Sequence, residues 1–324
     1  MLAQDVLPWT LFGARAAVIR EVSPHLVRVT FVSADSGEDT LVDFADAGAD
    51  TRVKLLLPPA VGGLDRIVPG GDWYQQWREL PDHRRPAMRT YTVRAVRPAT
   101  VDRRAEVDVD LVLHGVVGPA SAWATALLAG ERGTGPEMDR EVLLCGPNAA
   151  HGGPYGGREW LAPSPARDLL LVGDETALPA IAAILEELPA DATGTALIEI
   201  PSAVDELDLR TPAEFSVRWL PRDEVPEVGQ GGLMLRAALG WVPCDAAAAE
   251  AFVAQDIPAD ELLWEVPGPD DVVGSVAQPG IRAWVAGEAG AVREIRRHLV
   301  GACALSRREV AFMGYWRMGT SEAN

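Results

Sequence analysis

The chain has 324 residues, 48% of them hydrophobic, and a formal net charge of −18. That length exceeds one ordinary core and predicts two domains, and no stretch approaches the ~18 uninterrupted apolar residues of a membrane span. The acidic balance repels nucleic acid and anionic lipid, and the first residues lack the basic and apolar regions of a secretory leader. The expectation is therefore no nucleic-acid partner, no membrane and a cytoplasmic location.

Residues 14–20 and 26–32 predict two strands split by Pro24, which cannot donate to a ladder. A third strand, 52–57, stops at Pro58-Pro59, and a loop rich in Gly and Pro leads to Met88-Arg-Thr-Tyr-Thr-Val-Arg94. In a strand, Arg89, Tyr91 and Val93 share one face, and Thr90, Thr92 and Arg94 share the other. A cation, a flat ring and hydroxyls become neighbours; the alternative is a half-exposed strand of ordinary composition. Positive charge gathers here as Arg78, His83, Arg84, Arg85, Arg89, Arg94 and Arg97, against the sign of the whole chain. Residues 105–114 begin with the alternation of a half-buried strand and put Asp110 and His114 on one face, where a structural histidine is the competing reading. Short strands at this spacing predict a small antiparallel barrel. Gly118-Pro-Ala-Ser121 then opens a helix over 121–128, with Ser121 as its cap and free N–H groups that favour an anion.

The Gly- and Pro-rich run 146–165 reads as a loop and domain boundary, without the strand-to-helix setting of a phosphate loop. From 168 onward strands and helices alternate. Strands are predicted at 168–172, 196–200, 215–220, 281–286 and 309–315, and helices after Gly173, at 232–239 and at 291–300. This pattern argues for a parallel sheet covered by helices. Gly173-Asp-Glu-Thr176 occupies the first strand-to-helix turn, although two carboxylates there would repel a pyrophosphate and also serve as plain helix starters. Glu199 ends the second strand, where an adenine ribose is often read. The acidic 201–206 that follows has no cation for a 2′-phosphate, which favours NADH over NADPH unless Arg218 or Arg222 supplies one. The stretch at about 241–278 is acidic and reads as an insertion, with a helix near 246–250 and a strand-like 262–266. The cysteines, Cys145, Cys244 and Cys303, are far apart and read as buried small hydrophobes rather than a disulfide or metal framework; the scattered histidines also form no metal motif.

Arg89-x-Tyr91-Thr92 resembles the FAD motif of the ferredoxin-reductase superfamily. Joined by Asp110-x-x-x-His114, Gly118-Pro-Ala-Ser-Ala-Trp123, Gly173-Asp-Glu-Thr-Ala177, Val285-Ala-Gly-Glu288 and Tyr315-Trp-Arg317, it resembles the siderophore-interacting protein family of FAD-dependent ferric-siderophore reductases. The resemblance implies an FAD-binding antiparallel barrel over 1–160 and an NAD(P)H-binding α/β domain over 168–324. It implies that FAD is held by Arg89, Thr90, Tyr91, Thr92, Asp110, His114, Gly118, Ala120, Ser121 and Trp123. The nucleotide and flavin are approached by Gly173, Asp174, Glu175, Thr176, Ala177, Glu199, Gly287, Glu288 and Trp316. Thr92 and Asp174 are the flavin-edge candidates, with no acid–base residue required and no protein-bound metal. Lys54, Arg85 and Arg317 are the cations offered to an anionic ferric siderophore. The expected donor is NADH, with NADPH or ferredoxin as alternatives, and the expected state is a monomer. Two other readings stand beside it: an NAD(P)H:flavin reductase or oxygenase reductase component, and a siderophore-binding carrier without catalysis.

Overall fold

The structure, a computed structural model, describes residues 6–35, 37–59, 63–64, 67–113, 118–131, 139–161, 163, 165–241, 262–268 and 281–319. The chain divides into two compact units, the first ending at Arg158 and the second starting at Glu159.

The first unit is a closed six-stranded barrel in the order β1-β2-β5-β4-β3-β6, antiparallel throughout. Its strands are β1 (Trp9–Ser23), β2 (Leu26–Ser33), β3 (Arg52–Leu57), β4 (Ala87–Arg97), β5 (Glu106–Val112) and β6 (Glu141–Pro147). Val29, Phe31, Val53, Leu55, Val107, Val109, Leu111, Val142 and Leu144 fill the interior. Helix α2 (Pro119–Glu131) adds Trp123, Ala124 and Leu127 to that core. A second cluster lies outside the barrel wall, where α1 (Trp73–Glu79) brings Trp77 against Leu11, Leu56, Leu143 and Cys145. Strand β6 was not expected. It is buried on both faces, by the interior on one and the α1 cluster on the other, so it lacks the polar alternation that marks a strand.

The second unit carries one sheet in the order β10-β12-β11-β7-β8-β9. Strands β7 (Leu169–Gly173), β8 (Thr193–Ile200), β9 (Glu214–Pro221), β11 (Arg282–Glu288) and β12 (Val310–Trp316) are parallel. The two-residue β10 (Trp264–Glu265) pairs antiparallel with β12; it is the strand-like segment expected at 262–266. The rest of the expected insertion, including its helix, lies outside the described residues. Helices α3 (Leu178–Glu187), α4 (Gly232–Trp241) and α5 (Ala289–Arg296) cover the sheet, α4 and α5 sharing one apolar cluster with Val172, Val285 and Phe312. The chain leaves β7 toward β8 on one side and returns as β11 on the other, so the strand order reverses between β7 and β11. In an open α/β sheet, ligands bind at the carboxyl ends of strands at such a reversal.

Among the described residues no helix is long and apolar enough to cross a membrane. Cys145 is free and buried, and burial pushes its thiol up to about 12. Cys303 corrects the sequence expectation: it is disulfide-bonded rather than a free buried hydrophobe.

Candidate cofactor-binding sites

Register fixes the faces of the 88–94 strand. Arg89 lies opposite Leu55 and Tyr91 opposite Val53, on the barrel's inner side, while Thr90 and Thr92 lie opposite Lys54 and Arg52 on the outer side. Tyr91 is half-buried against the interior cluster. One arginine N–H of Arg89 donates to the Met88 carbonyl at 2.8 Å, and the side chain remains half-exposed. Of the two threonines, Thr90 is exposed and accepts from Lys54 Nζ at 3.3 Å, whereas Thr92 is buried. The surface hydroxyl is therefore one turn of the pleat earlier than expected.

Asp110 is buried and gripped by Arg28 at 2.6 and 2.7 Å, with Arg94 4.0 Å away. Its carboxylate is an ion-pair partner, and the cations beside it supply the local positive charge. Next to it Asp108 is held below the usual carboxylate range, because the paired Arg97 and the Thr30 hydroxyl outweigh its burial. His114 lies outside the described residues. Helix α2 starts at Pro119, so Ser121 sits inside the first turn and does not cap it. Trp123 stacks parallel to Phe31 at 6.3 Å and donates Nε1 to the Asp139 carbonyl, buried in the barrel core. Ala120 and Ser121 are buried with it, while Gly118 is exposed at φ +96° with open space where a Cβ would stand.

Arg85 is occupied too. It donates to the carbonyls of Trp77, Arg78 and Leu80 at 3.2, 2.9 and 2.7 Å and covers the Trp77 ring, closing the C-terminal end of α1. A helix end leaves carbonyls without intrahelical donors, and the Arg85 fork serves that end of α1. Arg317 is half-exposed beside Trp316.

In the second unit, three separate stretches converge on Asp174 at the β7/β11 reversal. Its carboxylate is wholly buried and accepts from Thr176 N at 2.9 Å, Thr176 Oγ1 at 2.5 Å, Glu288 N at 2.8 Å and Trp316 Nε1 at 2.8 Å. Burial first, then the neighbouring Glu175 charge, pushes Asp174 up to about 7 despite these donors. Gly287 has φ +137°, and a Cβ there would stand 2.6 Å from Asp174 Oδ2, so the close approach of β11 to this carboxylate requires glycine. Gly173 is equally constrained, since a Cβ would press on Ala177 at 2.6 Å where α3 crosses the strand end. Glu288 caps α5 by accepting from Ala291 N at 2.9 Å.

Glu199 takes a different task from the one its position suggested. Fully buried, it accepts from Gly231, Leu233 and Met234 N at 2.7 to 2.9 Å, binding the N-terminus of α4, and from Arg222 at 3.2 Å. Glu175 is held by Arg222 through two 2.7 Å bonds and by Gln230 at 3.0 Å. Gln230 was not among the expected residues, and Arg222 was named only as a cation for a 2′-phosphate; that a carboxylate after β7 meets a cation after β9, two strands away in the sheet, leaves no trace in local spacing.

The comparisons with known proteins fall on both units. Residues 15–150 match the siderophore-interacting FAD-binding domain, and 166–319 match the siderophore-interacting protein model. The chain belongs to the siderophore-interacting protein family. It is 36% identical over 247 residues to an uncharacterized protein of Mycobacterium tuberculosis, covering 72% of this chain and 76% of the relative. It is 32% identical to the ferric vibriobactin reductase ViuB of Vibrio cholerae over 237 residues, 72% of this chain and 74% of ViuB. The crystal structure of the siderophore-interacting protein SipS from Aeromonas hydrophila aligns with a TM-score of 0.61 at 27% identity, covering 96% of this chain and 93% of that one.

The barrel half therefore carries an FAD-binding domain, and the residues present fit a dinucleotide flavin. A half-exposed guanidinium, a half-exposed phenol ring and an exposed hydroxyl follow one another at 89–91, and Gly118 leaves open space before a 13-residue helix.

Proposed function

We propose that this chain is an FAD-dependent ferric-siderophore reductase, passing electrons from NAD(P)H, with NADH favoured, to siderophore-bound Fe(III) and releasing Fe(II). The observation that carries the reading is the meeting of Asp174, Gly287 and Trp316 from three strand ends at the sheet reversal, in a family member with an FAD-binding barrel. Bound FAD supplies the conversion between a two-electron hydride donor and a one-electron iron acceptor.

In the barrel, Arg89 offers a planar fork for phosphate oxygens, Tyr91 a ring edge, and Thr90 a surface hydroxyl. In the α/β unit, Asp174 holds the Trp316 indole and the Glu288 backbone in place, so the nicotinamide end of the donor meets a pre-set wall rather than a mobile one. Of the three cations expected for an anionic iron chelate, Lys54 and Arg317 remain the candidates beside Arg85, which is held at the end of α1. A chelate of hard oxygen donors grips Fe(III) more strongly than the softer Fe(II), so electron transfer itself loosens the metal and no acid–base residue is needed.

The test is anaerobic: FAD-loaded protein, a ferric siderophore and a ferrous-iron trap, started with NADH or NADPH. Trap colour that develops fast with NADH is the expected result. Flavin that stays oxidised with both nucleotides would remove the pyridine-nucleotide donor and leave ferredoxin, or a carrier without catalysis.

A further inference from the structure

Resting on that donor reading, we infer that Glu175 sets the choice of nucleotide by cancelling Arg222, a cation that stands where a 2′-phosphate would be read. Dinucleotide sheets read the adenine ribose beyond the carboxyl ends of the strands, with a carboxylate selecting the 2′-OH and an arginine the 2′-phosphate. Arg222 follows the end of β9 at Pro221, in that place and with the right fork. Its fork is turned back onto protein: both terminal nitrogens meet Glu175 at 2.7 Å and one also meets Glu199 at 3.2 Å. Two carboxylates face one guanidinium, leaving the cluster with a net charge of −1. Glu175 and Glu199 are 3% and 0% exposed, so water does little to screen them.

The surroundings reinforce the sign. Asp205 is buried in the turn after β8, Asp223 accepts from Ser202 Oγ at 2.5 Å, and Glu206 and Glu224 lie in the same two turns. Arg218 is exposed on β9 opposite Leu197, three residues short of the strand end. A phosphomonoester arriving here meets acid before it meets a usable cation. A ribose hydroxyl meets acceptors that suit it.

The experiment compares wild type, Glu175→Gln and Glu175→Gln/Arg222→Gln. Flavin reduction by NADH and NADPH is followed by stopped flow, and binding of 5′-AMP and 2′,5′-ADP by calorimetry, which needs no flavin. Wild type is expected to bind 5′-AMP at least as tightly as 2′,5′-ADP. Glu175→Gln keeps the shape, frees half the fork and raises the NADPH-to-NADH ratio of kcat/KM by about ten-fold, the factor that ~1.4 kcal/mol gives. The double variant has the wild-type net charge and returns to the wild-type ratio. Tighter binding of 2′,5′-ADP by wild type overturns the inference without any variant. A folded, NADH-using Glu175→Gln protein with an unmoved ratio overturns it as well, while leaving the donor reading intact. Wild-type flavin that neither nucleotide reduces overturns the donor reading and this inference together.

Discussion

Asp174 faces a second acid, Glu175, yet lies where water does not reach, and its donors come from β11, β12 and its own turn. A carboxyl whose folded pKa stands near 7 rather than near 4 holds a proton that the unfolded chain releases earlier. Between those two values the folded state binds more protons, so stability is full below about pH 4 and is lost as pH rises through about 7. Asp174→Asn removes the titration and keeps an acceptor for Trp316. Its denaturant midpoint is expected to vary less between pH 5 and pH 7.5 than that of wild type, the difference in slope being at most ~1.4 kcal/mol per pH unit. Equal slopes in the two proteins would mean that Asp174 is ionised throughout. Because the protonated acid is a poorer acceptor for the Trp316 indole, the same pH window should shift Trp316 emission in wild type alone.

Elements explain which parts of the site were legible. The Gly-Asp-Glu-Thr turn, the Gly-Glu that closes β11 and the Trp that closes β12 each stand at the end of a parallel strand, and sequence alternation alone placed those ends in one sheet; that they meet at Asp174 follows from the strand order. Hidden parts had physical reasons. Strand β6 is buried on both faces, α1 is short and flanked by proline and glycine, and Glu199 acts through backbone N–H groups that no side-chain pattern records. A basic cluster does not say which cation is already used, and Arg85 is held by the carbonyls at the end of α1. Arg85→Ala strips donors from three carbonyls at the end of α1, so stability should fall by about 1–3 kcal/mol while KM for a ferric chelate changes less than about two-fold. Lys54→Ala, which removes an exposed bond to Thr90, is expected to do the reverse: little loss of stability and a several-fold higher KM. A chelate KM that follows Arg85 and ignores Lys54 would return Arg85 to the substrate.

For the whole molecule, the governing quantity is a net charge of −18 set against cations gathered on the barrel. NADH and most ferric siderophores are anions, so the long-range field opposes both encounters that the proposed reaction needs. Attraction by Lys54 or Arg317 operates only at close range. Salt separates the two effects, because the screening length falls from ~30 Å near 10 mM to ~8 Å near 150 mM. At the lower concentration an approaching chelate feels the whole acidic surface; at the higher one it feels chiefly the residues it is about to touch. The kcat/KM for an anionic ferric chelate is therefore expected to rise severalfold over that range, then to fall as salt near 1 M screens the ~3 Å contacts themselves. A neutral chelate should show neither the rise nor the fall. A rate for the anionic chelate that falls steadily from the lowest salt would mean that local cations dominate the field at every distance, and that the acidic surface is turned away from the path of approach.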